Sequence, residues 1–348
     1  MSHPRLRNRP FSLREARALG VEPVRLSRSE LVTPFRGARV PARLAADFVA
    51  RCAALCAREP GGVLSHTTAA ILLGLPDTRW LPGVRQQQGA RAQLPPPDAP
   101  HQPARRPHPP SPDAPHPSAL HHHLPPPDAP PTHAQPVLHL TVAPPARPPR
   151  LTGVRSHSRP LAAGETRRVR GLPVTSAART WADLAATASI RELVVLGDAV
   201  LGGRAPLASH DDLRAAVPPA GARGASRARA AVELLDGRAE SPPESLLRLI
   251  LAEAGLPAPD VNVDLHTPDG RFLARPDLRF APYRTIVEYE GDHHRIEPRQ
   301  WRRDLTRTTA LQQQGELVLR VGAEHLRSEK RLVGLVFRSL ASRGWDPS

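Results

Sequence analysis

The chain has 348 residues, 40% of them hydrophobic, and a formal net charge of +15, which leaves room for two or more domains and points to a polyanionic partner. Its two cysteines exclude a disulfide scaffold in practice and fit a reducing cytoplasm. No run of about eighteen apolar residues occurs, and the start Met-Ser-His-Pro-Arg lacks the apolar core of a signal peptide, so a soluble cytoplasmic protein with no membrane partner is expected.

Phe11-Ser-Leu-Arg-Glu-Ala-Arg-Ala-Leu-Gly20 predicts a short helix, with Ser12 as N-cap, Glu15 three residues on and Gly20 as the stop. A second helical run covers Glu22 to Arg28, and Leu31 to Val40 reads as strand, turn and strand. Two short helices followed by a basic hairpin is the plan of a winged helix-turn-helix, assigned to residues 1–42. The stretch resembles the N-terminal winged-helix domain of AbiEi-type antitoxins. That resemblance implies that Arg25 and Arg28 face DNA from the second helix, and Arg36 and Arg39 from the wing.

A mixed middle domain is expected over 43–84 and 137–216. A helix over Ala45–Ala57 carries Cys52 and Cys56 on one face, where apolar packing is favoured over a metal site that would need two more ligands. A second helix starts at Ser65 and stops at Gly74. Val137–Val142 and Gly171–Thr175 read as strands, and Ser176 starts another helix. Leu64-Ser-His-Thr-Thr-Ala-Ala70 and Val174-Thr-Ser-Ala-Ala-Arg-Thr180, with Asp183-Leu-Ala185, are similar to the middle region of AbiEi-type antitoxin proteins. No chemistry is read there, only a scaffold.

Residues 85–136 are low in complexity: Leu-Pro-Pro-Pro-Asp-Ala-Pro occurs at 94–100 and again at 124–130. Such a proline load forbids helix and sheet, so a disordered insert is expected. Seven of the sixteen histidines lie in it, His121 to His123 among them, without fixed geometry for a metal. Residues 217–238, rich in Ala, Arg and Gly, read as a linker.

From Glu240 onward there are 16 basic and 16 acidic residues, so the positive excess lies entirely upstream. Ser241-Pro-Pro-Glu244 is a helix start, followed by strand runs Val261–Leu265 and Arg271–Arg275 about a Pro268-Asp-Gly270 turn. A third strand covers Thr285–Glu290. A basic helix over Pro298–Gln314, a strand at Glu316–Val321 and a helix over Glu329–Ser342 complete the order. Alternation along Ile286, Glu288 and Glu290 sets both glutamates on one face, and a neighbouring strand can bring Asp277 beside them. Carboxylates so placed repel unless a cation sits between them, and hard oxygen ligands suit Mg²⁺ or Mn²⁺. Solvated carboxylates at strand ends are the bland alternative.

The Pro276-Asp277 pair, Glu288-Tyr-Glu290 and the run Val287-Glu-Tyr-Glu-Gly-Asp-His-His294 resemble the PD-(D/E)XK nuclease superfamily, in its very-short-patch-repair-like branch, over 239–346. The resemblance implies a restriction-endonuclease-like α/β domain of αβββαβ order, a mixed sheet flanked by helices, and Mg²⁺-dependent hydrolysis of DNA phosphodiesters. It places Asp277 and Glu288 on the metal and Glu290 as a third ligand or water-orienting group. Glu244, or Glu240 one turn earlier, closes the site, although Glu244 also fits a capping box. His293 and His294 are candidate general acid or base groups or exposed loop histidines. Arg299, Arg303 and Arg307 share a helix face that takes phosphate or water. The superfamily lysine is missing: position 290 is Glu, and Lys330 is the single lysine. Two functions are therefore expected from this sequence, a metal-dependent DNA endonuclease or a non-catalytic DNA-binding regulator of the antitoxin type.

Overall fold

A computed structural model of the protein describes residues 6, 8–21, 30–78, 81, 135–290 and 298–347, with the backbone alone for 298–305. Residues 85–134 of the insert, the second helical run with Arg25 and Arg28, and the histidines His293 and His294 lie outside the described residues. The fold is mixed α/β, and no described helix is long and apolar enough to cross a membrane. The described residues form two compact units, one within Met1–Leu75, His133–Thr187 and Ala215–Ala225, the other within Pro76–Thr132, Ala188–Arg214 and Ser226–Ser348.

The first unit opens with β1 (Phe11–Ser12) and α1 (Leu13–Ala18). Ser12 Oγ caps α1 by accepting from the Glu15 N–H at 3.1 Å. The Glu15 carboxylate pairs with Arg9. β2 (Leu31–Val32) and β3 (Ala38–Pro41) form the expected hairpin, with Val32 opposite Val40, and β1 joins the other edge of β3. Helix α2 (Phe48–Arg58) buries Cys52 fully and Cys56 in part, and burial pushes both thiols well above their ordinary range, consistent with inert packing residues.

A five-stranded sheet follows, built from β4 (Gly62–Leu64), β5 (Leu138–Val142), β6 (Val154–Ser158), β7 (Thr166–Val169) and β8 (Leu172–Thr175) in the order β6-β5-β4-β8-β7. Helix α3 (His66–Leu72) packs on β5 and β8 and against α4 (Ala177–Leu184), whose Trp181 is fully buried. Ser176 caps α4 as expected. Ser65 precedes α3 without a side-chain capping bond, because its hydroxyl contacts His66 and Thr141 instead. Gly224 sits at φ +90°, and a Cβ there would lie 2.1 Å from the Ala185 carbonyl oxygen. Gly224→Ala is expected to lower stability by more than about 1 kcal/mol, read as a lower urea midpoint with an unchanged slope.

In the second unit, α5 (Ile190–Leu201) begins with a reciprocal capping box between Ser189 and Glu192, followed by α6 (His210–Ala215) and α7 (Ala225–Val232). The last lies inside the stretch that composition marks as a linker. Helix α8 (Pro242–Glu253) carries a continuous apolar face of Leu246, Leu247, Ile250 and Leu251. The stretch expected to supply two strands of one sheet divides differently. Only β9 (Asp260–Val261) enters the main sheet; β10 (Leu265–His266) and β11 (Phe272–Ala274) form a separate hairpin. Asn262, at φ 48°, turns the chain out of β conformation between β9 and β10, and Pro276 has no N–H to extend a ladder.

β12 (Leu278–Phe280) and β13 (Thr285–Tyr289) then pair antiparallel, with Leu278 opposite Val287. Helix α9 (Pro298–Gln313) ends at Gly315, whose φ of +80° permits the turn into β14 (Leu317–Val321). β14 runs parallel to β13, giving the order β14-β13-β12-β9. Helices α10 (Ala323–Arg327) and α11 (Glu329–Ala341) finish the unit. One face of the sheet presents Val261, Leu278, Phe280, Val287 and Val321 to α8 and α11. The other presents Ile286 to Ala274 and Leu311, the hairpin and α9 layer.

Candidate functional site

Strand alternation decides where the acidic groups go. Ile286 faces the α9 layer, so Glu288, two residues on, lies on the same face. Extending the β12–β13 register by one residue from Leu278 opposite Val287 sets Asp277 across from Glu288. A hydrogen bond fixes this corner: the Tyr289 N–H donates to Asp277 Oδ2 at 2.7 Å. Glu288 is 7% exposed, its Oε2 accepts from Arg307 Nη2 at 3.1 Å, and its Oε1 is buried with no hydrogen-bond partner among the described residues.

Glu244 reaches the same corner from the first turn of α8 and is 8% exposed. Its Oε2 accepts from the Glu240 N–H at 2.8 Å and from Asn262 Nδ2 at 2.7 Å, and its Oε1 from Ser241 Oγ at 2.7 Å. Glu244 thus bonds within the helix start, with the return bond going to Glu240 rather than to the cap residue, while its charge is felt at Asp277. Asn262, which sequence reasoning misses, ties the elements together: its amide also donates to the Arg238 carbonyl, and its N–H to the Asp277 carbonyl. An Asn inside a strand-like run, a residue type that tolerates the left-handed region, is the one signal the sequence offers for it.

Burial drives the Asp277 carboxyl well above the ordinary carboxylate range, and the Glu244 and Glu288 charges push it the same way. Burial likewise raises Glu244. A divalent cation beside Asp277 and Glu288 would relieve this repulsion and engage the unpartnered Glu288 Oε1, so the donor set fits a hard ion. Among the described residues, no three of these acidic groups bring carboxylate oxygens within 4.8 Å of one another. Two carboxylates plus water is the ordinary way Mg²⁺ is held.

The remaining candidates are placed apart from this corner or on its rim. Glu240 is exposed and pairs with Arg275 at 3.2 Å. Glu290 lies just past β13, with Oε1 3.7 Å from Arg320 Nη1. Arg307 Nη2 pairs with Glu288 Oε2 at 3.1 Å. Lys330 is exposed near the start of α11. Arg299 and Arg303 lie on α9, with side chains outside those described. In the first unit, Arg36, Arg58 and Arg150 border a hollow of about 370 Å³, while Arg39 Nη1 bonds the Ala38 carbonyl. That unit also gathers three histidines, His66, His139 and His157, which nothing in the sequence connects.

Two curated proteins of Mycobacterium tuberculosis, both uncharacterized and from strains CDC 1551 / Oshkosh and ATCC 25618 / H37Rv, are similar to this chain at 34% identity over 121 residues. The match covers 34% of this chain and 44% of each relative, so less than half of the relatives' length is spanned. No protein-family model and no solved structure matches the chain.

Proposed function

We propose that the second unit is a metal-dependent DNA endonuclease domain of the PD-(D/E)XK type, fed by DNA affinity in the first unit. The observation that carries this reading is the buried, unpartnered Glu288 Oε1 beside a cross-strand Asp277 that is strongly disfavoured as an anion. Asp277 and Glu288 would hold Mg²⁺ or Mn²⁺, which when bound lowers the pKa of a coordinated water and polarises the scissile phosphate. Glu244 stiffens the corner through Asn262, and the Arg307 guanidinium is placed to meet negative charge building on phosphate once Glu288 turns to the metal. The charge excess upstream of Glu240, with Arg36, Arg58 and Arg150 around one hollow, supports backbone binding of a polyanion by the first unit.

A second reading, a DNA-binding regulator whose nuclease-like domain does not turn over, is favoured by Glu at position 290 and by Arg307 already neutralising Glu288. Metal binding tests the first. The full chain is expected to melt higher in millimolar Mg²⁺ than in chelator, and Asp277→Asn to lose that response while melting no lower than wild type in chelator, because a raised pKa marks the ionised carboxyl as a cost to the fold. An Asp277→Asn protein with the full Mg²⁺ response would contradict it. DNA binding is a separate expectation. Removing residues 1–42 should weaken binding and flatten its dependence on salt, measured by anisotropy from about 50 to about 300 mM salt; the logarithmic slope should fall by about 0.9 for each phosphate no longer neutralised. Equally salt-sensitive binding by residues 43–348 would count against a DNA-binding N-terminus.

A further inference from the structure

His66, His139 and His157 are 91 residues apart at their extremes and meet because β5 and β6 pair in parallel. The register sets Thr141 opposite His157, so His139, Thr141 and His157 occupy one face of the sheet. Helix α3 lies over that face and brings in His66 from its first residue, which is held in the left-handed region at φ 51°. His139 Nδ1 and His157 Nε2 are 3.1 Å apart, and the His66 ring stacks on His157 at 3.8 Å between centroids. One ring nitrogen from each residue lies within 4.8 Å of the other two.

The surroundings favour the neutral rings. Burial is the main influence lowering all three, His66 to about 2 and His139 to about 4, with neighbouring histidines and then arginines adding to it at His66 and His139, and arginines at His157. Ser65 Oγ lies 3.0 Å from His66 Nδ1 and accepts from Thr141 Oγ1 at 2.8 Å, while Thr68 Oγ1 accepts from the His139 N–H. Behind His66 stands Asp183, 4% exposed at its side chain, with Oδ2 3.9 Å from His66 Nδ1 and no hydrogen-bond partner among the described residues. Its Oδ1 is taken by Arg179 Nε at 2.9 Å.

We propose that His66, His139 and His157 bind one divalent transition-metal ion of the zinc class, with Asp183 behind His66 as the carboxylate that orients it. Imidazole nitrogens suit Zn²⁺, Ni²⁺ or Cu²⁺ and not Mg²⁺, so the site is chemically distinct from the carboxylate corner of the second unit. Metal–nitrogen bonds of about 2.0–2.1 Å in a tetrahedron put ligand nitrogens about 3.3 Å apart; the His139–His157 pair is already near that separation, and the His66 ring, stacked on His157 at 13°, has to turn to aim an in-plane lone pair at the same ion. The buried Asp183 carboxylate, 3.9 Å from His66 Nδ1, is near enough to take that N–H once the ring turns to bind through Nε2, and a carboxylate partner of this kind fixes a ligand histidine's tautomer and ring angle. Three protein ligands leave a fourth position for water or an anion.

The experiment is metal retention by the tag-free full chain, loaded with Zn²⁺ and passed through a weak chelator, with bound zinc measured per chain. One retained equivalent is expected for wild type, for Asp277→Asn, and for a variant with His121, His122 and His123 replaced by serine. His139→Gln and His157→Gln should lose it, and Asp183→Asn should bind about 10- to 100-fold more weakly. No retained equivalent in wild type overturns the proposal, as does full retention in a folded His157→Gln chain or loss with the three insert histidines. Should the histidine variants fail to fold, X-ray absorption of zinc-loaded wild type decides: a first shell containing three imidazoles supports the site, and any shell with fewer overturns it.

Discussion

Glu288→Gln is expected to abolish Mg²⁺-dependent DNA cleavage while leaving DNA binding within about twofold of wild type. The substitution keeps the hydrogen bond from Arg307 to the side chain but removes one of two charges that would hold the ion. Losing Lewis-acid assistance worth several kcal/mol, about 4, corresponds to roughly 10³ in rate, below the level at which nicking is visible. Binding survives because the positive excess lies upstream of Glu240. Arg307→Ala is expected to act differently, freeing Glu288 for the ion while removing charge from the phosphate side. Tighter Mg²⁺ binding with slower cleavage would be its signature.

The largest effect on stability is expected from Asp198→Ala. Asp198 is 1% exposed and serves three donors: the Asp236 N–H at 2.7 Å on Oδ1, Arg248 Nη2 at 3.1 Å on Oδ2, and Ser245. Burial pushes its carboxyl up, which Arg248 opposes. Truncation leaves the largely buried Arg248 guanidinium without its counter-charge and the Asp236 N–H without an acceptor, a loss of about 3–5 kcal/mol. Asp198→Asn should cost less, since it keeps shape and an acceptor. The loop from Leu234 to Arg238, held by Asp198 and Arg248, leads directly into Glu240 and the start of α8, and Arg238 takes the Asn262 amide. A partly destabilised Asp198 variant should therefore also lose Mg²⁺ affinity. Urea unfolding with and without Mg²⁺ measures both.

What is legible in the sequence follows from the range over which each feature is encoded. Local signals place α1, α8 and α9 well, because Ser12, Ser241 and Gly315 are caps and stops acting within a few residues. The apolar runs at Thr285–Tyr289 and Leu317–Val321 read as strands for the same reason. Helix α5 carries an equally local signal in Ser189 and Glu192, one that sequence reasoning misses beside the longer motifs. β6 and β7, Val-Arg-Ser-His-Ser and Thr-Arg-Arg-Val, are too polar to announce themselves and are strands only because β5 and β8 pair with them. Non-local pairing of this kind is also what assembles the three histidines, each unremarkable in its own segment. Asp277 and Glu288 are the opposite case: short separation and strand alternation are enough to put them together.

The measurement that bears most directly on the central claim is nicking of supercoiled plasmid by the full chain in Mg²⁺ or Mn²⁺, beside an Asp277→Asn, Glu288→Gln double variant prepared identically. Relaxed plasmid is expected with wild type only, and none when metal is chelated. Plasmid that stays supercoiled while the protein retards it in a gel, or equal nicking by the double variant, would contradict a nuclease centred on Asp277 and Glu288.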